Sequence, residues 1–536
     1  MPAERRADLL GLLSLLALLT LTGWKSLSSP APPAEDAAIL MRYAAHLATG
    51  HGIVWNLGEP PVDGATDFLF LLCAAGLTAA GLSLETAVRA LGVTAHALTV
   101  LLVWAAHRKL HGTPVPLAWA SAAFLALGPG LAYAEAYFGT PVFALAAAAS
   151  WYLANLLRRR PDSPRWALLF SLAGLTAGLI RPEGVFLAGL MLLAVIVDAG
   201  WRRSWRAAAI FVSVFAILGG AFFLWRWGYF GQPLPTPFYK KGGGTLHLAG
   251  LITSLRNACQ LGFPFLFLWP LALRSAAALR RAAFSWLPVV GFVLLWVMLS
   301  GEMNFLMRFQ YAIVPILAMS WPDWTAGLGR DLGLPALRNL PPAGRRGLAA
   351  FLAVAIAGVL GLQFLLYRHD VPAADGRLDA ARVLSDYRGR GHTLATSEAG
   401  LLPLYSGWRS VDSWGLNDPL IARHGLTPER LEREKPALIV FHAYRSPIVA
   451  PPLGDDGWSR MVHTLESYAT RHGYVLAASF GPNPFDTHTY YVRPDLADTE
   501  ALVARLRALR YIWHDGGRST VDYAALRPAR AQGTPP

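Results

Sequence analysis

Charge is scarce in this chain. Only 15% of its 536 residues are Asp, Glu, Lys or Arg, while 54% are hydrophobic and the mean hydropathy is +0.38. Soluble globular proteins carry about a quarter charged residues. So few charges cannot cover the surface of a water-soluble protein of this length, and the apolar content excludes a disordered chain. Cysteine is nearly absent: Cys73 and Cys259 both sit in apolar stretches. A disulfide framework is excluded, and no CxxC or His/Cys spacing points to a metal. Lysine is rare as well, five against 42 arginines. No basic run is interleaved with aromatics, and the tight cluster Arg158-Arg159-Arg160 abuts an apolar stretch. That argues against a nucleic-acid partner.

The chain is nevertheless basic, with 47 Lys+Arg against 34 Asp+Glu. Residues 368–536 hold 20 and 19 of these, so the excess lies in the apolar part. Positive charge in the loops of an apolar chain is the positive-inside signature of a membrane protein.

A bilayer core takes roughly 20 apolar residues per helix. Arg5-Arg6 followed by an apolar run from Leu9 to Trp24 has the look of a signal peptide. With many spans behind it, it reads better as an uncleaved first span. Further spans are expected near 67–82, 86–106, 117–135, 137–157, 166–180, 185–200, 207–227, 251–273, 284–300, 309–327 and 348–366. The total is about 11 to 13. Arg108-Lys109, Arg158 to Arg165, Arg202-Arg203 with Arg206, Arg274 with Arg280-Arg281, and Arg330 to Arg346 mark cytoplasmic loops. Segments 28–66, 128–140, 181–184, 228–250, 301–308 and everything after Tyr367 are then outside. One conflict stands. Residues 67–106 must cross an odd number of times but contain two apolar segments. Either one of them lies in the interface or re-enters, or the charge rule fails once.

Residues 1–367 thus form a polytopic α-helical membrane module, and 368–536 change character. Short β-like runs (His392–Thr396, Arg409–Val411, Ala437–Phe441, Tyr474–Ala478, Thr487–Val492) alternate with helical patterns at Trp458–His472 and Thr499–Arg510. That pattern predicts a small α/β domain outside the membrane. It contains no phosphate loop or nucleophile elbow.

Transporters show polar residues inside their spans. Here the spans are mostly clean, and the polar residues gather in the outer loops. The first of these, 28–66, is the richest. Pro32-Pro33 precede Glu35-Asp36, an acid pair that opens a helix. Acids at a helix N-terminus are stabilised by the dipole, which is the plain reading. The chemical reading is a general base for an acceptor hydroxyl. Lys240-Lys241, two of the five lysines, lie on the side where positive charge is normally avoided. They suit a lipid phosphate at the interface. Arg181 beside Glu183 and Arg308 near Glu302 lie on the same side and read first as structural ion pairs. Together these residues suggest transfer between a lipid-phosphate donor and a hydroxyl acceptor.

The first loop resembles the polyprenyl-phosphate-sugar-dependent glycosyltransferases of the GT-C fold. It is most like the branch containing the terminal arabinofuranosyltransferase of mycobacterial-type cell walls. The likeness rests on Glu35-Asp36, Arg42-Tyr43, Gly50-His51-Gly52, Asn56-Leu57-Gly58-Glu59 and Gly64-Ala65-Thr66. Arg181-Pro182-Glu183-Gly184, the Tyr229 to Lys240 loop, and Thr396 to Gly400 with Asp412 to Asp418 follow in the same order. There are departures. The usual Asp-Asp pair is Glu35-Asp36. The second outer loop, Tyr137 to Pro141, lacks its glutamate, though Glu135 is near. Leu234-Pro235 is followed by Thr236-Pro237 where the branch has Asn-Thr.

The resemblance implies inverting transfer of a sugar from a polyprenyl phosphate to a hydroxyl on an envelope glycan, lipid or protein. The setting is the outer face of a bacterial inner membrane. Glu35 or Asp36 would be the base. Lys240, Lys241, Arg308 and Arg181 would take the departing phosphate. Arg42, Tyr43, His51, Asn56, Asp63, Thr66 and Glu135 are the expected substrate contacts. Trp55, Trp408 and Trp414 could stack on sugar rings, although packing is the commoner fate of tryptophan. No cofactor is expected, since no spacing demands a divalent ion among Glu35, Asp36 and Asp63. A lipid or glycan transporter and a non-catalytic membrane scaffold are the competing readings.

Overall fold

The structure is a computed structural model. It describes residues 3–241, 245–299, 301, 303–331, 341–367, 375–446, 454–483, 486–509, 511–512 and 518–519. Glu302, the junction from 368 to 374 and the tail beyond 519 lie outside the described residues.

Among the described residues, seven helices are long and apolar enough to cross a membrane: Glu4–Leu27, Leu84–His111, Val115–Glu135, Thr140–Arg159, Trp201–Phe230, Ala276–Val297 and Pro342–Tyr367. Others of the expected spans fold as shorter helices, among them Phe68–Ala79, Pro164–Ile180, Glu183–Ala199 and Leu248–Gly262. Phe68–Ala79 has 12 residues. At 1.5 Å per residue it is about 18 Å long, well short of the ~30 Å hydrocarbon core. Between residues 67 and 111 one helix, Leu84–His111, is long and apolar enough to cross, where two apolar segments are expected from sequence.

Which helices face lipid follows from what they bury. The apolar window of Thr140–Arg159 is 67% buried, and its run of alanines lets neighbouring helices approach closely. Those of Trp201–Phe230 and Pro342–Tyr367 are only 17% and 6% buried, so their apolar side chains are left for hydrocarbon.

The two ends of the helical module differ in charge chemistry. At one end the expected cytoplasmic loops meet one another. Arg108 pairs with Asp8 at 2.6 Å, and Arg158 bridges Asp198 at 2.8 Å and Asp323 at 3.0 Å. Thr140–Arg159 runs from there to the other end, where Thr140 lines a cavity beneath the C-terminal domain.

That domain is a five-stranded mixed sheet. The strands are β1 (Thr393–Thr396), β2 (Arg409–Asp412), β3 (Leu438–Ala443), β4 (Val475–Asn483) and β5 (Asp486–Val492), in the order β2-β1-β3-β5-β4. β1 is parallel to β2 and β3, while β5 is antiparallel to β3 and β4. All five runs expected from sequence are strands. Arg377–Ser385 and Thr499–Arg507 bury one face, through Leu384, Leu502 and Leu506. Gly457–Arg471 buries the other through Met461, Val462 and Leu465. The result is a three-layer α/β unit.

The first loop holds this unit to the membrane module. Helix α1 (Glu35–Ala48) buries every residue from Ala37 to Ala44. Downstream, the Asn56 side chain acts as a surrogate strand for the edge of the sheet. Its Oδ1 accepts from Ser410 N at 2.9 Å and its Nδ2 donates to Ser410 O at 3.0 Å. An exposed strand edge is thereby closed. Asn56→Ala leaves the Ser410 N–H without its partner, at roughly 1–3 kcal/mol for a buried group, while the Ser410 carbonyl keeps the Trp55 indole N–H at 3.0 Å. The thermal midpoint of the purified protein should fall accordingly, and an unchanged midpoint would refute this role.

Candidate active site

The acid pair opens α1, yet neither acid caps it. The N-cap is Ala34, without a side-chain cap bond. The carboxylates instead point to different partners. Glu35 turns to the C-terminal domain. Its Oε1 accepts from the backbone N–H of Gly400 and, at 3.2 Å, of Leu401, while its Oε2 meets Arg377 Nη1 at 2.9 Å. Gly400 sits so close to the Glu35 carbonyl that any Cβ would collide with it, so only glycine fits. Asp36 turns the other way and lines the cavity, with its Oδ2 2.5 Å from Arg308 Nη2.

Burial, together with the nearby Glu398 charge, raises the Glu35 carboxyl above its ordinary range, and Arg377 opposes the shift. By proton affinity alone Glu35 would make the better base. Position comes first, however, because a base must reach the proton it removes. Both Glu35 oxygens face donors from the C-terminal domain.

The cavity has a volume of about 530 Å³. Its charged lining is Asp36, Asp67 and Glu183 together with Arg181, Arg226, Lys241 and Arg308. The rest is largely apolar, including Phe186, Leu246, Leu295, Trp296, Met298 and Leu299. Arg181 lies 3.0 Å from Glu183 and 3.7 Å from Asp67. Burial works against the Glu183 charge, but Arg181 holds its carboxyl below the ordinary range. At Asp67 burial wins over Arg181 and the carboxyl is raised. Arg308 stacks on Phe138 at 3.9 Å, and its buried Nε has no hydrogen-bond partner.

The other expected site residues divide in two. Asp36, Thr66, Arg181, Lys241 and Arg308 line the cavity. Glu35, Arg42, Tyr43, His51, Asn56, Asp63, Glu135 and Lys240 do not. The buried Arg42 guanidinium donates to the carbonyls of Trp55 at 2.8 Å, Trp408 at 2.9 Å and Pro403, and to Asn56 Oδ1 at 3.1 Å. It is a pin between the first loop and the C-terminal domain. Tyr43 Oη bonds Asn417 Oδ1 at 3.0 Å, and Asp412 holds that loop through the backbone N–H groups of Trp414, Gly415 and Asn417. His51 is exposed and bonds Thr49 at 2.9 Å. Asp63 pairs with Arg226, and its backbone carbonyl accepts from Thr236 at 2.9 Å. Glu135 is buried away from the cavity. Lys240 lies over the Trp414 ring at 3.6 Å while its neighbour Lys241 faces the cavity. Trp55 and Trp408 are buried in packing. Glu35, Asp36 and Asp63 each have their own arginine, namely Arg377, Arg308 and Arg226. They do not converge on a common point as metal ligands would.

Sequence reasoning missed Asp67, Arg226 and Arg377. Asp67 directly follows the Gly64-Ala65-Thr66 motif. Arg226 is the sole charge between Ala207 and Phe230, and an ionisable residue in such a run is a marker of function. Arg377 carries no local signal.

Residues 367–500 match a Domain of unknown function (DUF8728). The terminal β-(1→2)-arabinofuranosyltransferase of Mycobacterium tuberculosis is 26% identical over 286 residues, which cover 51% of this chain and 45% of that protein. The chain thus matches less than half the length of this curated relative. ArnT from Cupriavidus metallidurans in the apo state is similar in structure, with a TM-score of 0.55 at 15% identity, covering 89% of this chain and 97% of that one. Its complex with undecaprenyl phosphate gives 0.50 at 17% identity, with the same coverage. The oligosaccharyltransferase AglB from Archaeoglobus fulgidus, bound to an inhibitory peptide and a dolichol-phosphate, gives 0.51 at 12% identity, covering 90% and 74%.

Glu35→Ala should loosen the C-terminal domain without emptying the cavity of its charges. Hydrogen exchange at the Gly400 and Leu401 amides is expected to rise about tenfold or more, since a hydrogen bond to a charged group contributes ~1.5–3 kcal/mol. Unchanged protection would show that Glu35 holds nothing. The chain is a multi-pass membrane protein with the GT-C glycosyltransferase fold, and its curated relative is a terminal arabinofuranosyltransferase.

Proposed function

We propose that the protein is a membrane glycosyltransferase that moves a sugar from a polyprenyl phosphate to an acceptor hydroxyl. The acceptor would be an envelope glycan, lipid or protein at the outer face of a bacterial inner membrane. The observation that carries this is the cavity. It sets the Asp36 carboxylate, paired with Arg308, among four cations and continues along an apolar wall. A prenyl phosphate has the same two-part chemistry. The relatives support the reading, since ArnT was captured with undecaprenyl phosphate and AglB with a dolichol-phosphate. The shortness of the Phe68–Ala79 helix supports an orientation with the arginine-rich loops on the inner side.

In this mechanism Asp36 accepts the proton of the acceptor hydroxyl as that oxygen attacks the anomeric carbon. The bond to the lipid phosphate breaks on the opposite face, which inverts the configuration. Negative charge grows on the departing phosphate, and Arg181, Arg226, Arg308 and Lys241 are fixed where it can be stabilised. The unpartnered Arg308 Nε offers a donor already stripped of water. Arg308 also orients Asp36 by its contact at 2.5 Å.

Asp36→Asn is expected to lower kcat by about 100- to 10,000-fold with the thermal midpoint retained. The assay follows consumption of a radiolabelled polyprenyl-phosphate sugar in vesicles, and undiminished transfer would remove Asp36 as the base. Lys241→Ala and Arg226→Ala should each raise the donor KM about tenfold or more, because each removes one phosphate-facing cation. A scaffold would tolerate both changes. A transporter would move the lipid across the vesicle while leaving the sugar attached.

A further inference from the structure

A second cluster lies within the C-terminal domain, on three neighbouring strands. His442 on β3 and His488 on β5 are direct cross-strand partners in the antiparallel register. Their rings stack with centroids 4.8 Å apart and 19° between planes. Glu398 follows β1, two residues beyond Thr396, which pairs with Val440 on β3. The sheet thereby brings Glu398 level with the two histidines. One ligand atom from each of the three lies within 4.8 Å of the others.

Three further observations mark this as a cation site and not a stack of core side chains. Three carboxyl groups, Glu35, Asp375 and Glu398, converge on the single guanidinium of Arg377, and Asp375 with Glu398 alone exceed its charge in a largely dry region. His488 is only 4% exposed, and its Nδ1 has no hydrogen-bond partner, while its Nε2 lies 3.7 Å from Glu398 Oε2. His442 Nε2 lies 2.6 Å from Asp486 Oδ1. A carboxylate only accepts, so the proton belongs to Nε2, and the neutral form of His442 carries its lone pair on Nδ1. A carboxylate behind an imidazole is the usual outer support of a metal-bound histidine. Arg377 Nη1, 2.5 Å from Glu398 Oε2, does not exhaust that carboxylate, which has about four lone-pair sites.

We propose that Glu398, His442 and His488 bind a divalent transition metal ion, with zinc the ion best matched to two imidazoles and one carboxylate. Asp486 supports His442 from behind. The ion fastens β1, β3 and β5 together directly behind the Glu398–Arg377–Glu35 chain that seats the first loop. The site is separate from the cavity and independent of the glycosyl-transfer reading.

The test uses the full-length protein in detergent, stripped with a chelator and titrated with zinc chloride. Roughly one zinc per chain and a raised thermal midpoint are expected. His442→Gln and His488→Gln should each abolish stoichiometric binding. Asp486→Asn, which keeps all three ligands, should weaken it about 10- to 100-fold. Wild-type protein that takes up no zinc, or equal uptake by the histidine variants, would overturn the site. Should a glutamine variant fail to fold, cobalt titration of the wild type decides. Visible bands from nitrogen and oxygen ligation support the site, and their absence refutes it.

Discussion

The clamp between the first outer loop and the C-terminal domain is the constraint on which the rest depends. Arg42 donates to three carbonyls and Asn56 from the centre of the two units, and Glu35 receives two amides and Arg377 from the other side. Each is a buried ionisable group with partners in the C-terminal domain. Removing one partner leaves an uncompensated charge, which is far more costly than the pair is stabilising. The loop therefore has one seat. With α1 fixed in that seat, Asp36 has one direction, toward the cavity.

Adjacent residues thus do unlike work. A helix turns 100° per residue, so neighbouring side chains on α1 cannot face the same partner. Glu35 faces the sheet and Asp36 faces the cations. The same division recurs at Lys240 and Lys241, where one lies on Trp414 and the other lines the cavity. In each pair the structure separates a residue held against the C-terminal domain from one that lines the cavity. The burial that raises the Glu35 proton affinity is the burial that withdraws it from the cavity.

The cavity itself is built from six stretches far apart in sequence: the first loop with Phe70, the second outer loop, Arg181 to Phe186, Arg226 to Leu246, Leu295 to Phe309, and Leu416 of the C-terminal domain. Its cations are held by carboxylates, as Arg181 is by Glu183 and Asp67. A site of this kind can present positive charge to an anion without the repulsion that four bare cations would suffer. Its apolar side is continuous with residues that belong to the membrane module.

Much of this was legible in the sequence. Scarce charge and long apolar runs determined a membrane protein, because no other solvent tolerates that surface. Alternating short runs beyond Tyr367 determined an α/β domain, and all five strands fell where the pattern put them. The motifs of the first loop marked the residues that matter, though not what each one does. Span number was less legible, since an apolar run such as Phe68–Ala79 folds as a helix of only 12 residues, a length that composition does not reveal. Only the tertiary structure decided that Asp36 and not Glu35 faces the cavity, that Arg42 and Asn56 are pins, and that Glu398, His442 and His488 meet. Those residues come together through strand pairing and domain docking, and contacts across hundreds of residues leave no periodic trace in the chain.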